Sequence, residues 1–200
     1  MVFHFFIGKL ERAIFGPPGE MQVANYIVNF ALKRGFRTFC NHKFRTAVHF
    51  FQLSTVEQDR MFNELVASNL VLVLLMIDTL AKLANKEARD FLRSLCNVIP
   101  AQFVKKLREN GIAEEHAQVW IKLLDLRRDE YEEQRLKARD ALPEFGEGNP
   151  WLRVVTVGCL FHIRRGKPPT DDPLFILLME ESVAVSATTR RTILRAIRRL

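Results

Sequence analysis

Two sets of arginines have the spacing that binding an anion would need. Within KRGFRTFCNHKFRTAVHFF (Lys33–Phe51), Arg34, Arg37 and Arg45 recur with Asn41 at intervals of three, four and four. At the end of the chain, Arg190, Arg191, Arg195, Arg198 and Arg199 put five guanidinium groups into ten residues with no acid among them. Residues three and four apart share a helix face, and a row of guanidinium forks matches phosphate or carboxylate oxygens in pairs. Each set also has a plainer explanation. The first is the solvated side of a helix, and the second belongs to a terminal helix docking Ile193, Ala196, Ile197 and Leu200 on the body of the protein. The eight arginines are therefore candidate contacts to an anionic partner, and the terminal set is the sharper of the two.

Metal and catalytic chemistry find less support. Cys40-x-His42 and Cys159-x-x-His162 supply zinc-type ligands, but residues two apart on a helix do not share a face. Cys40 also falls among the phenylalanines. A di-iron bundle needs Glu-x-x-His pairs, and Ala113 stands three residues before His116. Nothing favours any of the five histidines as a haem ligand. The chain lacks Gly-x-Ser-x-Gly, His-Glu-x-x-His, Cys-x-x-Cys and a glycine-rich phosphate loop,. Asp171-Asp172 in PPTDDP reads as turn and helix cap. No catalytic, cofactor or metal residue is expected, and an enzyme is disfavoured.

The elements that must hold these residues read at the helical period almost throughout. On one helix, Phe36, Phe39, Cys40, Phe44, Ala47, Phe50 and Phe51 of the first stretch fill a single arc, which predicts core. MQVANYIVNFALKR predicts a helix stopping at Gly35. Ser54-Thr55-Val56-Glu57 fits a capping box opening a central apolar helix near residues 55–84. Its apolar run Leu65–Ile77 gives about 20 Å of helix, short of the ~30 Å core of a bilayer. Further helices are expected from Lys86 to Ile99, closed by Pro100, and from there to Gly111. Residues 113–142 form the longest element, whose distal half, Asp129–Asp140, reads as a polar helix projecting into solvent, with a partner-binding arm as the alternative. Next come WLRVVTVGCLFHIRR, a short helix LFILLMEES, and a last helix capped by Ser186. GPPGE (Gly16–Glu20) and Pro143–Pro150 are breaks.

The whole is an all-α, compact multi-helix bundle of seven to nine helices, taken as a single helical domain over residues 1–200. The chain is 48% hydrophobic and 26% charged, as in ordinary globular proteins. Its net charge of +7 is uneven. Residues 1–50 hold seven basic against two acidic residues, residues 151–200 hold nine against four, and the middle hundred holds fourteen against seventeen. MVFHFFIGKL lacks the charged and cleavage regions of a signal peptide, and three scattered cysteines imply no disulfide framework,. A cytoplasmic location is expected, with no transmembrane segment. The leading expectation is a non-enzymatic helical binding protein acting through a protein partner or as a homo-oligomer. The alternative is a nucleic-acid-binding module using the faces Arg34–Arg45 and Arg190–Arg199. The third is an enzyme or carrier with an apolar pocket between helices. Peripheral membrane contact would also use the terminal helix.

Overall fold

The computed structural model describes residues 19–139 and 151–200. Among these residues 85% are helical and there are no strands. The α-helices are α1 Glu20–Phe39, α2 His42–Ala47, α3 Thr55–Leu83, α4 Lys86–Glu109, α5 Glu114–Arg139, α6 Trp151–Arg164 and α7 Leu174–Ile197, with a 3₁₀ turn at Phe50–Gln52. MVFHFFIGKL, the prolines of GPPGE, residues 140–142 and the break at Pro143–Pro150 lie outside the described residues.

The all-α bundle with a central apolar helix is what forms. Ser54 caps α3, its Oγ accepting from the Glu57 N–H at 3.3 Å. The other arm of the capping box is not made, because the Glu57 carboxylate binds Arg60 and Arg165 instead. From Glu64 to Ile77 every residue of α3 is buried. The helices α1, α4, α5, α6 and α7 close a ring around it, each touching α3 and its two neighbours. Ala31 and Gly35 of α1 lie against Asn69 and Val66 of α3, so α1 runs antiparallel to it. Arg127 and Tyr131 of α5 meet Glu64 and Ser68, so α5 runs parallel. Two apolar clusters fill the interior, and α3 contributes to both.

Length alone does not make α3 a core helix. The helix has 29 residues, about 43 Å at 1.5 Å per residue, and is long and apolar enough to cross a membrane. Its assignment to the core rests on burial: 83% of its most apolar window is covered by the rest of the bundle.

Four expected boundaries move. First, Lys33–Phe51 is not one helix. Asn41 ends α1 and caps α2, its Oδ1 accepting from the Lys43 N–H at 2.8 Å, as short polar side chains do when they compete with the helical ladder. His49 then turns the chain with a left-handed φ of 51°. With the arc broken, Phe44 and Phe50 stay buried while Phe36 and Phe51 are 58% and 84% exposed. Second, Gly35 does not stop α1. It lies inside the helix, where a Cβ would come within 2.9 Å of Val66 Cγ2, so the glycine serves close helix packing.

Third, Pro100 sits inside α4. Leu92, Leu95, Ile99 and Phe103 are all fully buried on either side of it. At about 1.5–3 kcal/mol each, they outweigh the roughly 3 kcal/mol cost of an internal proline. The helix ends where expected, Gly111 adopting a φ of 83°. Fourth, α7 is continuous, and Ser186 is a buried mid-helix residue rather than a cap. Leu178, Val185 and Ile193 carry the apolar stripe straight past it.

Candidate functional site

Buried charge is where chemistry is most often found, and the bundle encloses several charged and polar side chains. Glu64, Ser68 and Asn69 form a polar edge on α3, and each has a partner. Arg127 grips Glu64 in a two-pronged pair, Nε to Oε2 at 2.9 Å and Nη2 to Oε1 at 2.5 Å. Arg127 also donates to Glu130 at 3.1 Å, and Glu130 meets His162 Nε2 at 2.9 Å. Ser68 and the fully buried Tyr131 share a hydroxyl hydrogen bond of 3.0 Å. Asn69 donates to Glu181 Oε1 at 3.3 Å, and Arg34 pairs with the other Glu181 oxygen.

These contacts correct the reading of α5 as a polar arm. Arg127, Glu130 and Tyr131 tie it to α3 and α6, and Arg135 stacks its guanidinium 4.7 Å from the Trp151 ring. Burial would lower the Arg127 pKa, but the bonds and charge of Glu64 outweigh it and raise the value. Burial pushes the Tyr131 phenol well above its ordinary range and the Cys159 thiol up to about 12. Each acid is balanced, and the buried thiol is held protonated. The network positions helices. Its sequence signal was the polar trio Glu64, Ser68 and Asn69 within or beside a strongly apolar run.

The metal candidates are not brought together: Cys40 is exposed and Cys159 is buried. Among the described residues no group of three or more His, Cys, Asp or Glu side chains could hold a metal. Asp172, one residue before the N-cap Pro173, accepts from the first N–H of α7, that of Leu174, at 2.9 Å, and also takes Arg164 in a two-pronged pair at 2.6 and 2.9 Å.

The candidate arginines separate into two kinds. Arg34 is used internally on Glu181. Arg45 donates to the Phe39 carbonyl at 3.0 Å, and its guanidinium lies 4.6 Å from the Phe50 ring centre. Of the first set, Arg37 alone stands out in solvent. In the second set Arg190, Arg191, Arg195 and Arg198 are exposed and Arg199 is half-buried. Among the described residues Arg190, Arg191 and Arg195 have no ion-pair partner.

Two surface features lie at opposite ends of the bundle. At the end holding the start of α7, a groove of about 520 Å³ runs between α2 and α7, lined by Lys43, Thr46, Ala47, Ile176, Leu177 and Glu180 among others. Ile176 on its wall is 68% exposed. Lys43 and Glu180 flank it from opposite helices, and neither has an ion-pair partner among the described residues. A smaller groove on the other side of α2 has Phe51 on its wall. At the far end, a groove of about 310 Å³ between the start of α1 and the end of α7 is lined by Gln22, Val23, Tyr26, Thr192, Arg195, Ala196 and Arg199. No family model, no curated protein and no solved structure matches the chain.

Proposed function

We propose that the protein is a non-enzymatic binding protein that pairs with a second copy of itself through the α2–α7 groove. The observation that carries this reading is that Lys43 and Glu180, on different helices and neither in an ion pair among the described residues, both line a mainly apolar groove with exposed Ile176. A twofold interface must be complementary to itself, so that residue i meets j and j meets i. A patch with one charge of each sign around apolar side chains meets that condition: Lys43 of one copy against Glu180 of the other, twice. The arginine end of α7 does not, since like charges would face each other. Phe51, 84% exposed in the smaller groove on the other side of the same short helix, offers an aromatic side chain of the kind that dominates interfaces to a partner that wraps around α2.

The other readings have less support. The nucleic-acid alternative in its two-stripe form needs Arg34 and Arg45, which are engaged with Glu181 and with Phe39 and Phe50. An apolar pocket between helices would need the space that α3 occupies. The three free cysteines suit a reducing, cytoplasmic setting,.

Sedimentation over a range of concentrations tests the reading. Lys43→Glu and Glu180→Lys should each weaken dimerisation, and the double swap should restore it, because both new pairs are again of opposite sign. A protein that stays monomeric at every concentration, or a double swap no better than the single variants, refutes it.

A further inference from the structure

The far end of the bundle poses a different question. Arg191 and Arg195 project from successive turns of α7 into solvent, Arg190 lies beside Arg191 on the same turn, and exposed Arg198 follows just past the helix end at Ile197, with no acid from Ser182 to the end of the chain. Each turn rises about 5.4 Å, so the cations form a ladder. The groove at their side holds something a plain basic patch lacks, the ring of Tyr26, which is 52% exposed. That ring is held in place by Phe30, parallel to within 10° at a centroid separation of 6.5 Å. Phe30 in turn packs on the core. Gln22 and Thr192 put an amide and a hydroxyl on the same walls.

We infer that the α1–α7 groove and the arginine ladder beside it bind single-stranded nucleic acid, with a base stacked on Tyr26 and phosphates on Arg191, Arg195 and their neighbours. The pairing of a fixed, exposed aromatic ring with cations is what single-strand sites use, since every base has a face to stack. A duplex keeps its bases stacked inside and would use only the arginines. An acidic peptide would likewise leave the ring idle. A membrane surface would call for exposed apolar wedges between the cations, whereas the residues between them, Thr192, Ile193, Leu194, Ala196 and Ile197, are all buried or half-buried. This site lies roughly 20 Å along α7 from Glu180. It stands whether or not the protein dimerises.

Fluorescence anisotropy with a labelled single-stranded oligonucleotide tests the inference. Its comparators are a duplex of equal length, polyglutamate of equal charge, and phosphatidylserine vesicles. Three or four phosphate contacts at about 0.7 per contact for single strands give a log–log salt slope of roughly −2 to −3. Affinity should then fall roughly 20- to 50-fold from 50 to 200 mM salt. Arg191→Gln with Arg195→Gln should flatten the slope by about 1.4. Tyr26→Ala should weaken single-strand binding about 5- to 150-fold, the range for one stacked base, and leave the slope nearly unchanged. All three side chains are exposed enough that circular dichroism should show an unaltered fold. Equal or tighter binding of duplex, polyglutamate or vesicles overturns the inference, as does a Tyr26→Ala variant that binds like the parent, or no binding at low salt.

Discussion

Cutting the Glu64–Arg127 pair should separate a docked α5 from a projecting one. Their side chains are 7% and 12% exposed, and they meet at 2.5 and 2.9 Å. Arg127→Leu leaves Glu64 charged among apolar residues of α3, with no second cation bound to it among the described residues. Removing one partner of a buried pair costs about 3–5 kcal/mol. Each kcal/mol shifts the midpoint of a chain of this size by about 2–4 °C, so the melting temperature should fall roughly 6–20 °C. Glu64→Leu should cost less, since Arg127 keeps Glu130 at 3.1 Å and can reach water more easily. The double variant Glu64→Leu/Arg127→Leu removes both desolvated charges and should recover to within about 1–2 kcal/mol of the parent or better. Urea unfolding of all four proteins, followed by far-ultraviolet circular dichroism, closes the cycle. Additive single effects near zero would show that the pair is solvated and that α5 does not pack on α3.

Two further outcomes follow from the core and from the start of α7. Leu72→Ala and Leu75→Ala, both at 0% exposure, should each cost about 2–5 kcal/mol; unmoved thermal midpoints would contradict the central place of α3. Burial would raise the Asp172 carboxyl, but the Arg164 bond, the Leu174 N–H and the Arg164 charge outweigh it, so its pKa lies below the usual 3.8. A depressed value stabilises the fold above the unfolded pKa and ceases to do so as pH falls through the folded one. The parent should therefore exceed Asp172→Asn by about 1.5–3 kcal/mol at neutral pH, and the gap should close below about pH 4. A gap independent of pH would break the argument.

Fold class was readable because the apolar period survives locally, residue by residue, along every helix. The boundaries that failed were settled by contacts distant in sequence. Pro100 and Ser186 look like breaks to a reader of the chain, yet Leu95 and Phe103, or Val185 and Ile193, bury on either side and carry the helix through. Gly35 looks like a stop, and only Val66 of another helix shows why the Cβ is missing. Conversely Asn41 looks like one more polar position on a continuous face, and its side chain ends the helix. The arginine stripe failed for the same reason. Spacing placed Arg34, Arg37 and Arg45 on one side, but Glu181, 147 residues away from Arg34, decides that Arg34 faces inward.

That distinction also locates the charge that can act on a partner. An arginine beside a buried carboxylate has its field cancelled within a few ångströms, as for Arg34, Arg127 and Arg164. An unpaired exposed arginine reaches about one Debye length, 8–10 Å at ordinary ionic strength. The C-terminal turns of α7 hold Arg190, Arg191 and Arg195 unpaired among the described residues, with no acid from Ser182 onward to offset them. The α2–α7 groove, with Lys43 and Glu180 opposed, presents nearly balanced charge over an apolar floor. A long-range field steers association and is weakened by salt, while a balanced apolar groove selects by shape and short-range pairing. Raising ionic strength should therefore separate the two surfaces in one preparation, loosening whatever the arginine end holds well before it disturbs pairing through the groove.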